Sequence, residues 1–326
     1  MSWAHEFVAS LDRSPVRSAS ERALNDAERR LGVTLPASLR TFYECTDGLQ
    51  IKALSDLVLL SVRQLVEHAE ELEAWGLPRL EFGYLPIAWC PHSADRFCVA
   101  ACDALEARVV WVPHDDGPRV AFPDLQHMLA AIADAHRNTP RGGAGWVARL
   151  TRRIAMGPER GFWDLHSLPH WYARHASHGP EDIACARRLL ERYEPRLAQP
   201  HDVIAEHGVG FAIDLLDDTC VPTLARLLAR FDPSFRVLSR LDEIRTPDAL
   251  AVIETHRHEE IEVGRRLVEV ARVHGFDASF DPPLEDGKGG FLDIGAEGFF
   301  LAYWHAQRND PDLEKRFLAA CAKPPS

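Results

Sequence analysis

Residues 28–49 read ERRLGVTLPASLRTFYECTDGL and set two short helices between two breaks in the chain. Leu24, Ala27 and Leu31 recur at helical spacing and form one apolar stripe. Ser18 and Glu21, three apart, make a capping box at the start of that helix. Gly32 ends it, because glycine accepts a left-handed backbone without a Cβ penalty. Leu35-Pro36 restarts the chain, with Pro36 at the first helical position, where no N–H is required. Leu39, Phe42 and Tyr43 follow at i, i+3 and i+4, and Asp47-Gly48 supplies the turn out.

Working outward, Trp3, Phe7, Val8 and Leu11 form a short helical stripe ahead of this stretch. Behind it, residues 57–60 read as a strand and 62–75 as a helix. That helix turns Leu65, Ala69 and Leu72 inward and Glu67, Glu70, Glu71 and Glu73 outward. Strands follow at 85–88, 96–101 and 108–112. Alternation places Phe97, Val99 and Ala101 on one face and Cys98, Ala100 and Cys102 on the other. Both faces are apolar, so the sheet is expected to be covered by helices. Leu125, Leu129 and Ile132 mark a closing helix over 122–135. The fold class of this front part is α+β.

The order Leu31-Gly32, Leu35-Pro36, Phe42-Tyr43 and Asp47-Gly48 resembles the N-terminal signature of the SUKH superfamily, which holds fungal cell-wall-assembly regulators and bacterial toxin-immunity proteins. Leu85-Pro86-Ile87-Ala88 is similar to the strand that opens that family's central sheet. The polar turn at 114–117 and the closing helix keep the family's order. Residues 90–96 depart from it, lacking the Gly-Asp pair common before the next strand. The resemblance covers roughly the first 140 residues. It implies a mainly antiparallel sheet packed by helices, working as a protein-binding module that catalyses nothing.

Bulk properties narrow the function classes. A chain of 326 residues exceeds one typical core and points to two domains. The net charge of −12 argues against general nucleic-acid binding and against an anionic membrane surface. Up to residue 138 there are 13 Lys+Arg against 20 Asp+Glu, so the acidity is denser at the front. Seven cysteines without a regular framework suit a reducing compartment. No signal-peptide pattern and no run of about 18 apolar residues is read, so a cytoplasmic location is expected.

A front domain over 1–138 is expected to give way to a linker at 139–149, where Pro140 and three glycines deny a helix. Residues 150–326 read as a mainly α-helical second domain of unrecognised type. Helices are expected to start at Pro180, Pro200, Pro222 and Pro247, and His207-Gly208 and His274-Gly275 read as helix ends. Leu224, Leu227, Leu228 and Phe231 form one inward stripe, and Leu267, Val270 and Ala271 another.

Few constellations carry chemistry. His166, His170, His175 and His178 are dense, but Pro169 interrupts their helix and nothing completes a metal sphere, so solvated or packing histidines are the better account. His256 and His258 stand i, i+2 and do not share a helix face. Cys90, His92, Cys98 and Cys102 lack a CxxC pair, and a strand cysteine behaves as a small hydrophobe. The glycines at 142–145 and 287–298 lack the strand and spacing of a phosphate or dinucleotide loop. No catalytic residue, metal or cofactor is expected. The acidic residues remain, each a solvated surface group when taken singly. Glu67, Glu70, Glu71, Asp95, Asp115 and Asp116, with Trp89 and Trp111 as apolar anchors, are the expected partner-binding residues. The expected partner is a cognate toxin domain, basic and nuclease-like. The alternative is a regulatory scaffold of an envelope or signalling complex.

Overall fold

The computed structural model describes residues 3–11, 17–51, 57–89, 94–105, 107–113, 117–138, 179–198, 202–229, 234–285, 287, 291–293, 299–300 and 312–322. The chain divides into two compact units, Met1–Arg192 and Tyr193–Ser326. The expected linker at 139–149 lies outside the described residues.

The first unit begins with helices α1 (Trp3–Ser10), α2 (Glu21–Leu31) and α3 (Ala37–Cys45). Ser20, not Ser18, caps α2, because its hydroxyl accepts the Ala23 N–H at 3.2 Å. Gly32 closes α2 at φ 68°, its N–H bonded to Glu28. Pro36 sits just outside α3 as its cap residue. Glu28 ties the two helices together: its carboxylate accepts the Leu35 N–H at 2.8 Å and pairs with Arg40 at 2.8 Å. These bonds, Arg40 foremost, hold the Glu28 carboxyl below its usual range.

Six strands follow as a meander, β1 (Leu49–Ile51), β2 (Leu57–Leu59), β3 (Tyr84–Trp89), β4 (Arg96–Ala100), β5 (Val109–Val112) and β6 (Arg119–Phe122). Their spatial order is their chain order, and every neighbouring pair is antiparallel. β1 and β6, the two edges, are additions to the three later strands and the 57–60 strand expected from the pattern. Because β6 takes up 119–122, the closing helix α6 starts later than expected and spans Leu125–Asn138. Helix α4 (Val62–Ala74) packs on α2 and β3, and the short α5 (Arg79–Phe82) leads into β3.

The turn after α3 depends on Gly48. Its φ is 89°, and a Cβ there would meet the Ser61 backbone N at 2.8 Å. The same turn aims Asp47 at α4, whose Val62 N–H donates to its Oδ1 at 2.8 Å. Ser61 and Gln64 complete a reciprocal capping box there. The main core sits between the helices and one sheet face, where Leu85, Ile87, Phe97, Val99 and Val109 meet Leu24, Leu39, Phe42 and Leu65. A fully buried leucine such as Leu39 contributes roughly 1.5–3 kcal/mol. Tyr84, Cys98, Ala100 and Val110, on the other face, are buried as well. Both faces are therefore covered. Helix α7 (Pro180–Tyr193) follows the closing helix among the described elements, and its residues up to Arg192 belong to this unit.

The second unit is largely helical. It holds a 3₁₀ turn (Glu194–Ala198), α8 (Val203–Leu215), α9 (Val221–Leu228), α10 (Ser234–Ile244), the long α11 (Pro247–Val273) and α12 (Leu313–Cys321). Pro222 and Pro247 open helices as expected. α8 instead starts at Val203, capped by Asp202, whose carboxylate accepts the Ala205 N–H at 3.0 Å. His207-Gly208 is not a helix end. It lies inside α8, where the missing Cβ at Gly208 leaves room for the Tyr193 ring. His207, pressed down by burial and by Arg236, titrates at about 4. His274-Gly275 does end α11. A small antiparallel sheet, β7 (Ser279–Asp281), β8 (Phe291–Asp293) and β9 (Phe299–Phe300), accompanies the helices of this mainly α-helical unit.

Candidate protein-binding site

Four of the expected residues gather where α4 passes the β3–β4 end of the sheet. Trp89 is paired across the ladder with Arg96, so the two side chains start from adjacent strands. Arg96 is only 2 % exposed, and its guanidinium is spoken for on three sides. Nη2 donates to Glu71 Oε2 at 2.6 Å, Nε donates to His68 Nδ1 at 3.2 Å, and Nη1 reaches the Ala94 carbonyl. Its plane lies over the Trp75 ring, 4.5 Å from the centroid. His68 in turn lies against Trp89, the rings tilted at 47° with centroids 5.1 Å apart. The result is a file of flat groups: Trp75, Arg96, His68, Trp89.

His68 is neutral in this file. Burial lowers its pKa first and the Arg96 charge second, against weaker opposing pulls from Glu71 and Glu67. A neutral imidazole offers Nδ1 as acceptor, which is how it receives the Arg96 N–H. At the outer end, Trp75 follows the last turn of α4 and is 47 % exposed. A buried cation therefore props up an exposed indole, and a rigid aromatic with few rotamers to lose is what a protein interface uses as an anchor.

The expected residues divide as follows. Glu67, Glu71, Trp89 and Asp95 come to this end, although Asp95 is only 2 % exposed and does not join an exposed acidic face. Glu70 points elsewhere, to Arg30 of α2 at 2.6 Å. Trp111 is 7 % exposed and belongs to the main core, opposite Phe97. Asp115 and Asp116 lie outside the described residues. The acidic face is also less naked than its sequence implies, because Glu67 pairs with Arg63 at 2.8 Å and Glu71 with Arg96. Trp75, His68 and Arg96 were absent from the expectation. Trp75 carried a signal, an indole at the end of an acidic helix beyond its apolar stripe; Arg96 read as an ordinary strand residue.

Among the described residues no group of three or more His, Cys, Asp or Glu side chains stands ready to hold a metal ion, and no helix is long and apolar enough to cross a membrane. The histidines at 166–178, and Cys90 and His92, lie outside the described residues. The sequence profile of the SMI1/KNR4 family (SUKH-1) matches residues 18–131. The front of this chain is a SUKH-1 domain. The match runs from just before α2 into α6, so it takes in α4, the whole six-stranded meander and the Trp75–Trp89 file. The SUKH family is one of immunity-type proteins, generally without catalysis. No curated protein matches this chain in sequence.

Proposed function

We propose that this protein is a cytoplasmic immunity protein whose SUKH-1 domain binds a cognate toxin domain and neutralises it by occlusion, with no reaction catalysed. The observation that carries the reading is the SUKH-1 match itself, laid over a domain that ends in a preorganised aromatic surface. Trp75 is the anchor of that surface and Trp89 its neighbour. Glu67 and Glu71 flank them with side chains about half exposed, at 49 % and 44 %. The net charge of −12 favours a basic, nuclease-like toxin, because opposite charge speeds encounter and disfavours wrong partners. The pair Arg63–Glu67 is exposed and screened by water, so an incoming cation can replace Arg63.

Co-expression with the proposed cognate toxin domain tests this reading. Survival of the cells and co-purification of a stable complex are expected. Killing at full rate, together with no complex, overturns it. The second reading, a regulatory scaffold of an envelope or signalling complex, is favoured by one observation, that the unit Tyr193–Ser326 lies wholly outside the matched span. It predicts that the second unit alone changes which partner is retained.

A further inference from the structure

The end of the β4–β5 hairpin opposite Trp75 also holds a buried arginine, and this one is bound by a helix outside the family match. Arg108, 4 % exposed, closes the turn by donating to the Leu105 carbonyl at 3.2 Å. It also binds Asp182, at 2.8 Å through Nη2 and 3.3 Å through Nε. Asp182 lies in the first turn of α7, outside the family match, which ends at residue 131. One turn further on, the Cys185 thiol donates to the Ala104 carbonyl at 3.1 Å. Near the end of the helix Arg192 pairs with Glu81 of α5 at 2.6 Å. Three contacts thus run along one side of α7. The same helix buries Cys185, Ala186, Leu189 and Leu190 while Arg187, Arg188 and Glu191 stay exposed. That is the pattern of a helix seated on a surface, not of a connector.

We infer that the β4–β5 turn and α5 form an internal docking surface whose occupant is the chain's own helix α7. The working domain then extends beyond the family match to Arg192, and this end of the sheet is closed to any partner. The seating of α7 does not depend on what the SUKH-1 domain binds. A carboxylate held against a buried guanidinium is costly to remove, since the guanidinium loses its compensation without regaining water. Asp182, with a side chain 17 % exposed, is such a carboxylate. A solvated linker would have no use for it.

Thiol labelling of the full-length protein, read cysteine by cysteine by mass spectrometry, tests the inference. Cys185 is fully buried, and Cys45, 4 % exposed in the main core, serves as the internal control. In the unaltered chain Cys185 is expected to label more slowly than the half-buried Cys102 and Cys321. In the double variant Asp182→Asn, Arg192→Glu, Cys185 labelling is expected to rise about tenfold or more while Cys45 stays protected. Unchanged protection of Cys185 overturns the inference, and so does joint exposure of Cys185 and Cys45 with α7 amides already exchanging freely in the unaltered chain. Hydrogen exchange of the unaltered chain is the second arm. The α7 amides at 184–192 are expected to match those of β5, and exchange at the rate of an unprotected helix end contradicts the docking.

Discussion

The two ends of the β4–β5 hairpin use the same device to opposite effect. At each, a buried arginine meets a carboxylate from a neighbouring helix: Arg96 with Glu71 at one end, Arg108 with Asp182 at the other. The difference lies in the carboxylate. The Glu71 side chain is 44 % exposed and stands beside an exposed Trp75, whereas that of Asp182 is 17 % exposed and arrives on a helix that stays. A buried guanidinium therefore presents a surface at one end and fastens a helix at the other. What it does depends on how much water its partner keeps.

The largest effect expected from this contrast is on stability. Arg108→Ala should cost about 3–5 kcal/mol in chemical denaturation, because it takes the buried guanidinium away from the largely buried Asp182 carboxylate. Arg96→Ala should cost less, about 1–3 kcal/mol, because Glu71 turns to water. Equal losses would erase the distinction between the two ends.

Binding should show the reverse order. Trp75→Ala is expected to leave stability within about 1 kcal/mol and to weaken the toxin complex by about 2 kcal/mol or more. Chemical denaturation measures the first and calorimetric titration with the proposed toxin domain the second.

A smaller effect follows from acid. Burial and Arg96 hold the folded His68 below its ordinary value of 6.5, so the unfolded chain binds the proton first as pH falls. Stability contributed by neutral His68 is complete above 6.5 and is lost as pH drops through the folded pKa. His68→Gln should flatten that part of a stability–pH curve, and an unchanged slope would count against the buried contact of His68 with Arg96 and Trp89. His207 acts in the same direction in the second unit, over the wider window from 6.5 to about 4. The smallest effect belongs to the exposed pairs: Glu67→Gln and Glu70→Gln should each change stability by no more than about 0.5 kcal/mol, while slowing toxin association in a salt-dependent way.

What could be read from sequence was local. Gly32, Leu35-Pro36 and Asp47-Gly48 act within a few residues, and each sits at or beside the break expected of it. The strand at 96–101 was readable because a sheet covered on both faces gives a nearly continuous apolar run, and β4 is buried throughout. The edge strands β1 and β6 were missed since three or four residues containing Gln50 or Arg119 show no clear period. The burial of Trp111 was not legible, because aromatic strand residues look alike whether they face core or solvent. The Arg108–Asp182 pair spans 74 positions, and no spacing rule reaches that far. Arg96 failed for a related reason: its partners Glu71 and His68 lie on another element, and only the fold brings them within reach.

The account turns on one end of the hairpin being open to a partner and the other being taken. Toxin affinity measured side by side for Trp75→Ala and for Asp103→Lys, an exposed position on the occupied turn, tests that claim most directly. The account predicts at least a tenfold loss for the first and no change for the second. A complex that tolerates the loss of Trp75 but fails with Asp103→Lys would put the partner at the wrong end and contradict it.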